Sequence, residues 1–329
     1  MARLDPNRMT PSERAVELPR AARVRRRAES GQRGKYERSG RAGGYFVLPF
    51  IVAFAALTVT PLGYAIYLSL YKSTIVGGTH FAGLVNYQQV VTDSKFWSGV
   101  TRIVIIGAIQ IPITLGLGVV FACIFDAGVV RAGRWFRLIF FMPFAVPTVV
   151  SAITWSFLLE PQFGPFTHLA NLLGFSHANL LSPNLIVPAI IVMIVWQSTS
   201  FDVIVIYTAL RSLPHEVLEA AIVDGAGLLK VTAALKIPMI RGALVMLALL
   251  NGIAAIQLFV EPQILSSYTL SISYGFTPTI YIYNTATSAL QYNIAAAAAV
   301  MLGGVVISIS AIAATAARRN SRRRSVHVA

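Results

Sequence analysis

Residues Glu219 to Pro238 read EAAIVDGAGLLKVTAALKIP, a polar island between two strongly apolar segments. Wound as a helix at about 100° per residue, the stretch from Pro214 to Gly225 places Leu218, Ala221, Ile222 and Gly225 on one face. Glu216, Glu219 and Asp224 fall on the other. A short helix with one apolar and one acidic face suits a membrane surface or a groove on a partner. The Ala220-Ala221 pair keeps its surface small enough for close approach, Gly225 frees the backbone to turn, and Pro238 ends the loop before the next apolar segment. Such a piece is rigid along its length and jointed at its ends, as a lever fixed to a transmembrane helix must be.

The flanks decide what the lever is fixed to. The chain has 329 residues, of which 56% are hydrophobic and 12% charged, with a mean hydropathy of +0.67. That composition excludes a soluble globular domain and belongs in a bilayer. A hydrocarbon core of roughly 30 Å needs about 20 mostly apolar residues per helix. Six segments qualify, at about 44–71, 101–126, 136–159, 184–210, 241–261 and 292–317. The expected fold is an all-α, six-span membrane protein. Residues 1–43 and 318–329 form basic tails, and the island lies in a loop, 211–240, between spans four and five.

The net charge of +14 points toward nucleic acid only if it is spread over a surface, and it is not. Twelve Lys and Arg precede residue 44, three lie between spans two and three, four between spans four and five, and five follow span six. Residues 160–183 and 262–291 contain none. This is the positive-inside pattern. It predicts a multi-pass membrane protein with both termini and the 211–240 loop cytoplasmic and no nucleic-acid partner. The Arg25-Arg26-Arg27 run marks a solvated tail beside lipid headgroups. Because a long basic segment precedes about 26 apolar residues, span one reads as an uncleaved anchor. The single cysteine, Cys123, permits neither an internal disulfide nor a metal cluster, and it falls within span two as packing.

The spacing E-A-A, three residues, Gly225, nine residues, then Leu235, Ile237 and Pro238 resembles the EAA loop of binding-protein-dependent ABC importer permeases. Leu210-Arg211-Ser212-Leu213-Pro214 before it and Asp224-Gly225-Ala226 within it are similar to that family as well. The outer segment Phe81, Gly83, Asn86, Tyr87 and Phe96-Trp97 looks like the F-x-G-x-x-N-Y…F-W stretch of its sugar-importing members. The likeness is greatest to the maltose and glycerol phosphate group. Leu229 and Thr232 stand where many carbohydrate-type members carry aromatic residues, and loop 262–291 lacks their Gly-Gly-Pro.

The resemblance implies a type I importer architecture whose cytoplasmic coupling helix meets an ATPase through Glu219, Ala220, Ala221, Asp224, Gly225 and Pro238. It implies a second permease subunit, two ABC ATPase subunits that bind ATP and Mg, and an extracytoplasmic substrate-binding protein. This chain itself then needs no cofactor and performs no catalysis. No G-x-x-x-x-G-K-[ST] occurs in it, and its five histidines do not cluster at metal-ligand spacing.

Polar residues inside spans mark the expected path, because each must find a partner or a wet passage. Gln257, Asn251 and Gln197 lead, followed by Thr148, Ser151 and Trp155 on one face of span three and by Glu261, four residues after Gln257. Amides and hydroxyls with an aromatic face, from Trp155 or Trp196, suit a sugar or related polyol. The competing reading is an ion-coupled secondary transporter of a small polar solute, which would turn on Asp202, the one clear acid inside a span. A third, a membrane-anchored scaffold, predicts no transport role for Glu219 or Gly225.

Overall fold

The computed structural model describes residues 45–74, 77–128, 133–174 and 179–326. The expected basic tail 1–43, with Arg25 to Arg27, lies outside them. The chain divides into two units, one ending at Tyr64 and one beginning at Ala65.

Proline shapes these helices as much as hydropathy does. Helix α1 (Tyr45–Leu70) begins in the first unit, where it widens to a π turn over Ala55–Val59 and the Thr60 N–H donates to the Ala55 carbonyl. The Thr60 hydroxyl donates to the same oxygen at 3.0 Å. Pro61 follows at once, with no N–H and a ring that crowds the carbonyl four residues back, so the wider turn absorbs it.

In the second unit, β1 (Tyr71–Thr74) and β2 (Gly78–Phe81) form an antiparallel hairpin. The strictly all-α expectation is corrected by this ribbon, whose Gly77 and Gly78 hold positive φ. Asn86 explains why it stays in place: buried on α2 (Val85–Thr92), its Nδ2 donates to the carbonyls of Ser69 at 2.8 Å and Tyr71 at 2.7 Å. Tyr87 shares a hydrogen bond with the Ser69 hydroxyl. The Asn-Tyr pair of the outer segment therefore staples the start of the hairpin to the helix that follows it.

The long helices are α3 (Ser94–Asp126), α7 (Ile186–Arg211), α10 (Arg241–Ile256), continued by α11 (Val260–Leu265), and α13 (Tyr292–Val326). Between them lie α4 (Gly133–Ala145), α5 (Thr148–Leu158), α6 (Pro165–Leu172) and α12 (Pro278–Thr287). Among the described residues five helical stretches, α1 included, are long and apolar enough to cross a bilayer. The expected third span, 136–159, is not one helix: Leu138–Ala145 and Thr148–Leu158 meet at 100°. Pro143 and Pro147 account for the bend, since each removes a donor and Pro147 is extended at ψ 135°.

The central helix is α7, whose Ile186, Ile190, Ile191, Met193, Ile194 and Ala189 form the main core with Ile106, Leu258 and Phe276. It lies close along α3 because Gly118 has no side chain; a Cβ there would come within 3.0 Å of Ile206 and 3.2 Å of Asp202. A second close approach joins the first turns of α3 to residues 275–278. A Cβ on Gly99 would meet the Gly275 carbonyl at 2.8 Å, and one on Gly275 would meet the Lys95 carbonyl even more closely. Arg102 Nη1 donates to the Phe276 carbonyl at 2.8 Å, and the Tyr281 hydroxyl donates to Asp93 Oδ2 at 2.8 Å. Burial first, and then the Asp93 carboxylate, push the Tyr281 phenol above its ordinary range.

Backbone against backbone cannot yield as a flexible side chain can. Gly275→Ala should therefore destabilise the purified protein by about 1–3 kcal/mol in thermal unfolding. Gly303→Ala, where a Cβ meets nothing within 4 Å, should leave the transition unchanged.

Candidate functional site

The island folds as a short helix and a jointed return. Helix α8 (His215–Val223) begins after Pro214, in extended conformation, and carries Glu216 in its first turn. Its end is a Schellman motif. The Ala226 N–H donates to the Ala221 carbonyl, the Gly225 N–H donates to the Ile222 carbonyl, both at 3.0 Å, and Gly225 sits at φ +81°. No atom lies within 4 Å of where a Cβ on Gly225 would be, so the glycine serves backbone conformation and not close packing.

No residue of α8 is buried. Leu218 and Ala221 are half-covered, whereas Ile222 is 60% exposed and Val223 is 86% exposed. The apolar face expected for Ile222 is thus only partly covered by this chain, and Glu219, Ala220 and Asp224 face outward with it. The return runs through α9 (Leu228–Val231), a π turn over Thr232–Lys236 and one helical turn, Ile237–Met239, that holds Pro238. As at Pro61, the proline stands two residues after the π turn. Lys236 Nζ pairs with Asp126 Oδ2, at the end of α3, at 2.5 Å. Neither residue was singled out by the pattern of the sequence, since their positions are 110 apart.

A cavity of about 540 Å³ lies between α3, α7, α10 and two helix breaks. Gln110, Gln197, Asn251, Gln257 and Glu261 supply its polar lining, with Thr148, Ser198 and Asp202. Of the expected path residues, Ser151 and Trp155 are absent from that lining. Ser151 is buried, and Trp155 packs in the core edge-on to Trp196 with ring centroids 5.9 Å apart. Phe144, Phe201 and Phe259 supply the aromatic surface in their place.

Both breaks open onto this cavity, and each is held by a side chain that takes up a freed carbonyl. At the bend between α4 and α5, Gln197 Nε2 donates to the Val146 carbonyl at 3.0 Å. At the end of α10 the helix stops at Gln257, so Gln257 and Glu261 do not share one helical face as the four-residue spacing predicts. Pro262 offers no N–H to Leu258, whose carbonyl instead accepts from the hydroxyls of Thr277 and Thr279. Irregular backbone at membrane depth is tolerated only where it is buried in protein or lines a wet cavity. Pro147 and Pro262 were the signals in the sequence that could have placed both breaks.

Asp202 is 1% exposed, and Asn251 Nδ2 donates to its two oxygens at 3.3 and 3.0 Å and to the Leu247 carbonyl at 3.0 Å. The acid thus has a partner on the facing helix, as an isolated buried carboxylate could not afford to lack. Gln110, also 1% exposed, has an Oε1 that makes no hydrogen bond.

Comparison with known proteins adds independent findings. The chain is 28% identical over 224 residues to the trehalose/maltose transport system permease protein MalF of Thermococcus litoralis, a match covering 68% of this chain and 76% of that protein. It is 29% identical over 215 residues to the trehalose transport system permease protein SugA of Mycobacterium tuberculosis, covering 65% and 69%. A chain of a bacterial alginate ABC transporter, solved in complex with an alginate pentasaccharide-bound periplasmic protein, superposes with a TM-score of 0.74 over 87% of this chain and 96% of that one. At 19% identity the last match speaks to fold alone. The family described as binding-protein-dependent transport system inner membrane component matches residues 115–325, from the middle of α3 through α13, and this chain belongs to it.

Proposed function

We propose that this chain is one of two permease subunits of an ATP-driven importer for a sugar or related polyol, delivered by an extracytoplasmic binding protein. In this reading it spans the membrane six times, the bent pair α4–α5 forming the third crossing, with both termini in the cytoplasm. The permease domain covers 44–317. Two ABC ATPase subunits hold ATP and Mg and dock on α8 through Glu219, Ala220, Ala221, Asp224 and Gly225, while Pro238 closes the coupling segment.

One observation carries the reading: two broken helices, α4–α5 and α10–α11, and two long ones, α3 and α7, converge on a polar cavity, while the helix that the family's motif marks stands exposed. Closure of the ATPases on ATP would move α8, and α8 is continuous through short joints with α7 and α10, which wall the cavity. Gln257, Asn251, Gln197, Thr148 and Glu261 then meet the cargo, with Phe144 and Phe201 against its C–H faces. Trp155 and Ser151 support the bundle.

Purification of the chain from its host in mild detergent tests this directly. A second permease and a nucleotide-binding subunit with ATPase activity should remain bound. Glu219→Ala should weaken ATPase docking about ten- to a hundredfold, the usual cost of removing one charged hydrogen-bonding group. A stable particle with no ATPase, whose transport depends on Asp202, would overturn the importer in favour of ion coupling.

A further inference from the structure

The hydrogen-bonding sense of the cavity names a cargo class. Among the described residues that line it, the only titratable side chains are Asp202 and Glu261, and there is no Lys, Arg or His. Two of the amides, Gln197 and Asn251, do little to restore the balance, because each already has amide N–H donors engaged. Gln197 spends Nε2 on the Val146 carbonyl, and Asn251 spends Nδ2 on Asp202 and the Leu247 carbonyl, so each leaves its oxygen for the cavity. Gln110 adds a buried Oε1 with no partner at all. A buried unpartnered acceptor costs free energy unless a donor arrives to meet it.

We infer that this cavity admits solutes rich in hydrogen-bond donors and without negative charge, meaning neutral polyhydroxylated or amino-substituted sugars, and that it excludes acidic sugars and phosphorylated polyols. The inference rests on the reading of the cavity as the cargo's. An anion here would face two carboxylates and carbonyl oxygens with no cation from this chain to neutralise it, and partly buried charges are screened less than those in bulk water. A sugar hydroxyl or ammonium group donates to the same oxygens. The selection therefore acts in the membrane, after any choice made by the extracytoplasmic receptor.

Occupancy of the cavity can be read without transport. The assembled complex would carry Ser198→Cys, on the cavity wall, in a Cys123→Ala background, and maleimide labelling of this chain would be followed by mass spectrometry. Glucose, maltose and glucosamine should each slow labelling by at least about tenfold, equivalent to about 1.4 kcal/mol. Glucuronate and glycerol 3-phosphate should not slow it at the same concentrations. Asp202→Asn combined with Glu261→Gln should let glucuronate protect as glucose does. Protection of the unaltered lining by glucuronate or glycerol 3-phosphate equal to that by glucose would overturn the charge rule while keeping the cavity as the cargo's. Brisk labelling that no solute slows would overturn the cavity reading itself.

Discussion

Replacing Gly225 with proline is expected to abolish uptake while the protein remains in the membrane at normal abundance. Gly225 sits at φ +81°, whereas the pyrrolidine ring fixes φ near −65°. Proline also removes the N–H that donates to the Ile222 carbonyl, one of the two bonds that end α8. Losing the bond and the conformation together costs about 3 kcal/mol or more locally, and α8 can no longer return the chain toward α10 at the same angle. Because a Cβ at this position meets nothing within 4 Å, Gly225→Ala isolates the conformational part. It should cost about 1–2 kcal/mol and leave reduced but measurable uptake. Uptake and ATPase stimulation, normalised to membrane content by immunoblot, are the readouts. Normal uptake in the proline variant would remove α8 from the transmission path.

The second large effect is expected at the ion pair that ties the return after α8 to α3. The side chains of Lys236 and Asp126 are 13% and 10% exposed and lie 2.5 Å apart. Lys236→Glu would set two carboxylates together in a nearly dry place, and breaking such a pair costs about 3–5 kcal/mol. The expected result is loss of the assembled complex and of uptake. Asp126→Lys should fail in the same way, while the double variant Asp126→Lys with Lys236→Glu should recover a large part of both. Double variants no better than the singles would show that the pair is incidental to the joint between the loop and α3. This contact matters because it ties the return after α8 to a helix that carries Gln110 into the cavity.

Much of the molecule was legible before any coordinate. The apolar runs located the long helices, because only a helix satisfies its own backbone in hydrocarbon, although α3 begins seven residues before its run and α13 ends nine after. The EAA spacing marked α8, whose Schellman end favours glycine at the position Gly225 takes. Less legible was the third span, where hydropathy averages over Pro143 and Pro147 and cannot tell a straight helix from one bent by 100°. The pairing of Gln257 with Glu261 failed for the same reason, since counting by four presumes an unbroken helix.

The amino-acid sequence by itself determined that this is a membrane protein, the short helix α8 that lies between two apolar segments and the residues that must seek polar company within the membrane. All of these follow from local chemistry: the cost of burying a charge, the missing N–H of proline, the freedom of glycine. Only the tertiary structure decided which polar groups share one cavity, that Phe144 and Phe201 line it where Trp155 does not, and that Asp126 meets Lys236. These depend on which helix faces lie together, and that is set by shape matching across the bundle, at glycines such as Gly118 and Gly99, among residues that are distant along the chain.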